Sequence, residues 1–237
     1  MSIEIKHLPK HIGIIMDGNG RWASRQNKPR LFGHRAGVET IRDIVKLASK
    51  YQIEVLTLYA FSTENWKRPK AEVSGLMKIF GEYLRKEIKE LYSNNVKFRI
   101  IGDRDPLSAR LKDEICKAEK LTENNTGLVL NIAVNYGGRS EVIYAVKTIA
   151  QMVVDKKIQI DQIDEKIMDK TLFTEGLPDP DLIIRTSGEL RLSNFLIWQC
   201  AYSELWFTPV LWPDFNEEVF MEALNDFQNR KRRYGGI

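Results

Sequence analysis

The 237-residue chain sets 36 Lys and Arg against 32 Asp and Glu for a net charge of +4, a balance too even to mark a nucleic-acid surface but compatible with a small anionic substrate. Its two cysteines, Cys116 and Cys200, lie far apart with no C-x-x-C spacing, and its three histidines, His7, His11 and His34, show no H-E-x-x-H pattern, so a disulfide framework, a zinc site and other transition-metal centres are not expected. With no signal-peptide h-region, no apolar run near the ~20 residues needed to span a bilayer, and 43% hydrophobic content to fill a core, the sequence predicts one soluble, cytoplasmic domain over residues 1–237.

In chain order, the first element is an apolar run over residues 12–16 that reads as a buried strand and empties into Asp17-Gly18-Asn19-Gly20-Arg21. Asp-Gly and Asn-Gly are hairpin signals. The following RWASRQNKPR has no strand alternation, however, and Arg21, Arg25, Lys28, Arg30, His34 and Arg35 accumulate after the junction. An anion site is the better reading: glycines let backbone N–H groups approach a ligand, Arg21 supplies fixed positive charge, and Asp17 offers hard oxygen to a divalent cation. Neither G-x-x-x-x-G-K-[ST] nor G-x-G-x-x-G is present, so nucleotide specificity has no support.

A second strand is predicted over residues 55–61, ending in STENWKRP. Ser62 or Thr63 there can cap a helix with Trp66 packed in the core, or the loop can close over a substrate with its hydroxyl, amide, indole and guanidinium groups, Glu72 lying just beyond. From 71 to 91, Val73, Leu76, Phe80, Leu84, Ile88 and Leu91 step by three and four and predict a long helix with one apolar stripe. Pro69 near its start is well placed.

Strands follow over 96–101, where alternating Lys97 and Arg99 point to a position near an edge, over 128–134, ending in NYGGR, and over 182–184, ending in RTSGELRLS. Arg185, Arg191 and Ser193 in that last segment suit the acceptor oxygens of a diphosphate, with structural salt bridges as the competing role. Glu204 stands in the otherwise apolar NFLIWQCAYSEL, where a carboxylate calls for an ion pair or a metal. The C-terminal VFMEALNDFQNRKRRYGGI reads as an amphipathic helix with a basic last turn ended by glycines. Buried strands alternating with helices predict an α/β fold with a mainly parallel sheet covered on both faces. Ligands of such sheets bind beyond the carboxyl ends of the strands, so the four polar loops are expected to converge on one anion pocket.

Taken together, HIGIIMDGNGRWA, FGHRAG, LTLYAFSTENWKRP, LNIAVNYGGR and DLIIRTSGELRLSNFLIWQCAYSELWFTPVLWPDF resemble the cis-prenyltransferases, and among them the bacterial undecaprenyl diphosphate synthases. The blocks stand in the family's order from about Leu8 to the C-terminus. The resemblance implies repeated cis condensation of isopentenyl diphosphate onto an allylic diphosphate such as farnesyl diphosphate, with undecaprenyl diphosphate as the expected product.

It further implies Mg2+ held by Asp17 and Glu204, and an allylic diphosphate site of Gly18, Asn19, Gly20, Arg21, Trp22, Arg30 and His34. Ser62, Thr63, Glu64, Asn65, Trp66, Arg68 and Glu72 resemble the family's mobile catalytic loop, and Arg185, Arg191 and Ser193 its isopentenyl diphosphate site. Asp17, Asn65 and His34 are the expected catalytic residues. The proton acceptor stays open among a diphosphate oxygen, Ser62, Asn65 and His34. An apolar tunnel walled by the 71–91 helix stripe, a homodimer completed by Arg233-Tyr234-Gly235, and peripheral membrane contact during product release are also implied, with no role for nucleic acid.

Overall fold

The computed structural model describes residues 7–231. Its strands are β1 (His11–Ile15), β2 (Val55–Ser62), β3 (Lys97–Ile101), β4 (Val129–Tyr136), β5 (Leu182–Arg185) and β6 (Glu204–Phe207), joined in one parallel sheet in the order β3-β4-β2-β1-β5-β6. Between them run α1 (Asn19–Arg25), α2 (Arg30–Lys50), α3 (Lys70–Ser93), α4 (Ala109–Leu121), α5 (Gly138–Val154), α6 (Glu165–Thr171) and α7 (Glu217–Asn229). The expected α/β class and parallel sheet are found, and β3, with its alternating Lys97 and Arg99, is indeed an edge strand.

The opposite edge, β6, was not expected. Its four residues ELWF are only partly buried, so they lack the continuous apolar run that marks a strand buried on both faces. The carboxyl-terminal helix also differs from expectation. Asn216 caps it by accepting from the Val219 N–H at 3.1 Å, and it ends at Asn229, before the basic cluster. Arg230, just past its end, is held by Glu204 at 2.8 Å and by Asp226 at 2.5 Å, while the glycines expected to end it lie outside the described residues.

Alternation along the strands feeds two cores. Ile12, Ile14, Leu56, Leu58 and Ile184 pack with α2, α3, α4 and α7, whereas Ile15, Ala133, Tyr136 and Ile183 pack with Phe195 and Leu196. At the foot of β1, His11 is fully buried. Its Nδ1 lies 2.6 Å from the Pro178 carbonyl, which can only accept, so Nε2 must accept from the Thr57 hydroxyl at 2.7 Å. Burial lowers its pKa to about 4, against the raising effects of Pro178 and Asp181, so His11 is a neutral structural group.

Helix α2 lies very close to the loop after β1. A Cβ on Gly33 would stand 1.9 Å from the Asn19 carbonyl oxygen, and one on Gly37 2.2 Å from Asn19 Oδ1. The absence of side chains there lets α2 seat α1, and Trp212 donates to the Gly37 carbonyl at 2.8 Å to hold the same corner. Because every strand runs the same way, Asp17, Ser62 and Arg185 emerge together at the carboxyl end of the sheet.

Candidate active site

Asp17 follows β1 and leads into Gly18, whose φ of 106° is left-handed backbone that glycine adopts without strain. That turn brings the Gly18 N–H to Asp17 Oδ1 at 2.7 Å. From the end of β5, Arg185 donates to Asp17 Oδ2 at 3.0 Å, to Ser193 Oγ at 2.7 Å and to the Arg191 carbonyl at 2.5 Å. Burial alone would raise the Asp17 pKa, but the Arg185 hydrogen bond and charge, with Gly18 and Ser187, hold it below the usual carboxylate value. Asp17 is therefore ionised, and a third of its side chain is exposed.

Arg21 stands one helical turn on, 3.4 Å from Asp17 Oδ2 and 3.3 Å from Glu189, and donates to the Ser187 carbonyl and hydroxyl. Glu189 also pairs with Arg191 at 2.6 Å. Between Ser187 and Leu196 the backbone takes positive φ at Ser187, Gly188, Ser193, Asn194 and Leu196. Residues held in such sparsely populated conformations are typical of functional sites. The twisted segment turns Ser193 and Asn194 toward Asp17's side of the sheet.

In the STENW segment the expected cap forms, but Trp66, expected in the core, is 39% exposed. Thr63–Lys67 forms a short 3₁₀ turn, and Asn65 Oδ1 accepts the Ser62 N–H at 3.2 Å, so the amide is both cap and cavity wall. Trp66 packs edge-on against Phe61 and donates to Asn135 Oδ1 at 2.7 Å. It anchors the turn and is absent from the cavity lining. Beyond it, Arg68 at 3.1 Å and Arg30 at 3.4 Å converge on Glu72 Oε1. His34 Nε2 stands 4.0 Å from the same oxygen, but burial, then Arg68, lower the His34 pKa to about 4 despite Glu72. A neutral imidazole makes no ion pair with Glu72, and its Nε2 is buried without a hydrogen-bond partner.

These groups surround a cavity of about 630 Å³. Asp17, Asn19, His34, Ser62, Glu64, Asn65, Arg68, Arg185, Arg191 and Ser193 line it, and so do Ile41, Leu76, Phe80 and Tyr83. The polar strand ends therefore open into an apolar chamber between α2, α3 and the sheet. Of the predicted helix stripe, Leu76 and Phe80 wall this chamber, while Val73, Leu84 and Leu91 belong to the core.

Other candidates stand apart from the lining. Gly18, Gly20, Arg21, Arg30, Thr63 and Glu72 act from behind it. Trp22 stacks on Phe32 with ring centroids 5.8 Å apart and donates to Asp214 at 2.6 Å, so its indole is committed to the outer side of α1.

Glu204 is a correction. It pairs in register with Leu182, which pairs with Ile12, so it begins β6 at the amino end of the sheet, three strand residues or roughly 10 Å short of Ile15. Its partner is Arg230. Within this chain Glu204 does not join Asp17, and among the described residues no cluster of three His, Cys, Asp or Glu could hold a metal.

Residues missed in the sequence include Tyr59, stacked on Phe195 at 4.5 Å, and Asn194, which donates to Glu64 at 2.9 Å and accepts from the Arg139 N–H at 2.9 Å. Both line the cavity. Tyr59 sits inside an apolar run that gave it no polar signal, whereas Asn194 and Glu189 stood in the polar run after β5.

Residues 15–235 match the family model described as "Putative undecaprenyl diphosphate synthase". An isoprenyl transferase of Clostridium tetani is 54% identical over 236 residues, 100% of this chain and 92% of that protein. A ditrans,polycis-undecaprenyl-diphosphate synthase of Pasteurella multocida, named as (2E,6E)-farnesyl-diphosphate specific, is 52% identical over 236 residues, 100% of this chain and 98% of that one. Among solved structures, lavandulyl diphosphate synthase of Lavandula x intermedia in complex with dimethylallyl diphosphate superposes with a TM-score of 0.94 at 39% identity, covering 96% of this chain and 98% of that one.

Proposed function

The chain belongs to the undecaprenyl diphosphate synthase family of prenyltransferases, and we propose that it adds isopentenyl diphosphate repeatedly, with cis geometry, to farnesyl diphosphate, forming undecaprenyl diphosphate and releasing inorganic diphosphate. The observation that carries this reading is the two-ended cavity, with an ionised Asp17 among guanidiniums at one end and aliphatic and aromatic side chains at the other. A diphosphate with an apolar tail matches both halves.

Asp17 fits Mg2+ that arrives with the substrate. It is ionised and partly exposed, and magnesium is ordinarily held by one or two carboxylates together with phosphate oxygens and water. The ion would supply charge neutralisation for the departing diphosphate. Glu204 enters such a site only from outside this chain's own pocket. In this reading Asn19 in the cavity wall, with Arg21 and Arg30 just behind it, positions the allylic diphosphate, and Arg185, Arg191 and Ser193 grip isopentenyl diphosphate so that its terminal alkene carbon meets the allylic carbon. As the allylic C–O bond breaks, its electron pair leaves with diphosphate, and these fixed positive groups stabilise the charge where it develops.

Formation of the new C–C bond is completed by loss of a proton from the neighbouring carbon. His34, with a pKa near 4, is a weak base. Ser62 and Asn65 are weaker still, which favours a diphosphate oxygen as the proton acceptor, with His34 and Asn65 shaping the pocket around it. Arg68 and Glu72 would close the loop side and keep water away.

A homodimer is part of the same proposal. Ile197, Trp198, Tyr202 and Leu205, in or just before the outer edge strand, are exposed, an apolar surface of the kind a second copy covers. Arg233-Tyr234-Gly235, expected to reach the partner, lies outside the described residues. No helix among the described residues is long and apolar enough to cross a membrane. The reading accordingly has the enzyme work in the cytoplasm and touch the bilayer only to release its lipid. The test is incubation with labelled isopentenyl diphosphate, farnesyl diphosphate and Mg2+, followed by sizing of the extracted lipid. A ladder of cis-polyprenyl diphosphates ending at eleven units is expected, and absence of any elongated product refutes the function.

A further inference from the structure

The NYGGR run after β4 is one of the polar loops expected at the anion pocket, yet Gly137, Gly138 and Arg139 are absent from the cavity lining. They stand behind it, where the segments following β2, β4 and β5 meet. A Cβ on Gly137 would lie 2.6 Å from Thr63 Oγ1 and 2.8 Å from Asn194 Nδ2, so the close approach of the STENW turn and the β5 segment at this point requires glycine.

Asn194 is the joint. Its backbone, at φ 65°, is left-handed, a conformation that Asn and Asp reach more readily than other side chains. Its carbonyl accepts the Gly138 N–H at 2.7 Å and its Oδ1 the Arg139 N–H at 2.9 Å. Both donors open α5, whose Gly137 cap offers no side-chain acceptor, so Asn194 satisfies from a distance two N–H groups that a helix start leaves unpaired. The other end of the same amide, Nδ2, donates to Glu64 Oε1 at 2.9 Å.

On one side of Asn194, Ser193 Oγ accepts from Arg185 at 2.7 Å, and on the other Phe195 stacks on Tyr59 with ring centroids 4.5 Å apart. Asn194 therefore ties the segment carrying Arg191 and Ser193 to the turn carrying Glu64 and Asn65. Glu64 is ionised: what burial it has raises its pKa, but its own N–H, Asn194, Ser62 and Thr63 hold it below the usual carboxylate value. Because Glu64 is exposed, its bond to Asn194 contributes little while water reaches it. Both residues wall the cavity, so a substrate that displaces water there strengthens the bond. By reciprocity the bond then favours that substrate.

Resting on the prenyltransferase reading above, we propose that Asn194 is a positioning residue that couples the isopentenyl diphosphate site to the STENW turn: a diphosphate held by Arg185, Arg191 and Ser193 sets the Glu64 and Asn65 side of the pocket through the Asn194 amide.

Asn194→Asp separates this role from simple helix capping. It keeps the left-handed backbone and the acceptor for Arg139, and its negative charge suits a helix N-terminus, so capping alone predicts unchanged kinetics and a Tm no lower than wild type. Coupling predicts a loss, because the donor to Glu64 becomes a second carboxylate oxygen. With labelled isopentenyl diphosphate and farnesyl diphosphate, kcat/KM for isopentenyl diphosphate should fall about tenfold, as for one hydrogen bond to a charged group. KM for farnesyl diphosphate, whose diphosphate site is on the β1 side, should change less than about twofold.

Adding Glu64→Gln supplies an amide donor to the new carboxylate, and the double variant should regain most of the lost kcat/KM, measured against Glu64→Gln alone. Glu64→Ala, which removes the acceptor and leaves the α5 cap intact, guards against Asn194→Asp failing to fold and should lower kcat/KM for isopentenyl diphosphate in the same direction. Wild-type kinetics in Asn194→Asp, or a double variant no faster than Asn194→Asp, would overturn the proposal, as would an unchanged kcat/KM in Glu64→Ala. Each of these results leaves the function standing. Failure of wild type to elongate at all would instead remove the function on which the proposal rests.

Discussion

Replacing Arg185 with methionine removes the group on which both halves of the site depend. The guanidinium is 3% exposed and gives hydrogen bonds to Asp17, Ser193 and the Arg191 carbonyl. Breaking a buried ion pair by deleting one partner costs about 3–5 kcal/mol. The lower end applies here, because Asp17 stays a third exposed and keeps the Gly18 N–H and Arg21 at 3.4 Å. A loss of about 3 kcal/mol in a chain of this size corresponds to a fall in Tm of roughly 6–12 °C. Differential scanning calorimetry measures it, and a cycle with Asp17→Asn isolates the pairwise part, expected at about 1–3 kcal/mol. Arg185→Lys, which keeps charge but loses the fork, should recover only part of the loss. A Tm within about 2 °C of wild type in Arg185→Met, or a coupling energy near zero, would refute the view that this pair organises the pocket.

Asp17→Ala should abolish detectable product in the labelled isopentenyl diphosphate assay while lowering stability by about 3 kcal/mol, since it leaves the buried Arg185 charge without its carboxylate although two other acceptors remain; near-normal turnover would remove Asp17 from the mechanism. Arg191, exposed and paired with Glu189, should when changed to alanine raise KM for isopentenyl diphosphate at least tenfold more than KM for the allylic substrate, and equal effects would undo the division between the two diphosphate sites. Acid should destabilise the fold well above the carboxylate range. His11 and His34 both titrate near 4 when folded and near 6.5 when unfolded, so the unfolded chain binds more protons and stability falls as pH drops from 6.5 toward 4. Each histidine should cost about 2 kcal/mol by pH 5. Urea midpoints at pH 7 and pH 5 check this, and a His11→Gln variant with the same pH slope as wild type would contradict it.

Five strands were legible because residues buried on both faces of a parallel sheet must be apolar along their whole length, and the edge position of β3 was legible because Lys97 and Arg99 interrupt that run. The same rule concealed β6. A short edge strand packed on one side has no continuous apolar signature, and ELWF carries none. The overlong C-terminal helix has a related cause: amphipathic spacing continues into Arg230, but the helix stops where that side chain turns back to Glu204 and Asp226.

Glu204 shows where reading a site from sequence runs out. An acid in an apolar stretch must have a partner, and that much was legible; which partner depends on strand register, and register is set by pairing with a distant segment. Once Glu204 aligns with Leu182 and Ile12, it belongs to the amino end of the sheet, and no local rearrangement of its side chain spans the remaining strand length to Asp17. The polar groups that do converge, Asp17, Ser62 and Arg185, each stand at or just past the carboxyl end of a parallel strand, so one topological fact places them together. A carboxylate at the start of a strand is excluded from that pocket by the same fact. If Glu204 contributes to diphosphate chemistry, it does so from a second copy of the chain, and mixing Glu204→Gln with Asp17→Ala protein should then restore activity that neither variant shows alone, whereas no restoration would refute a shared site.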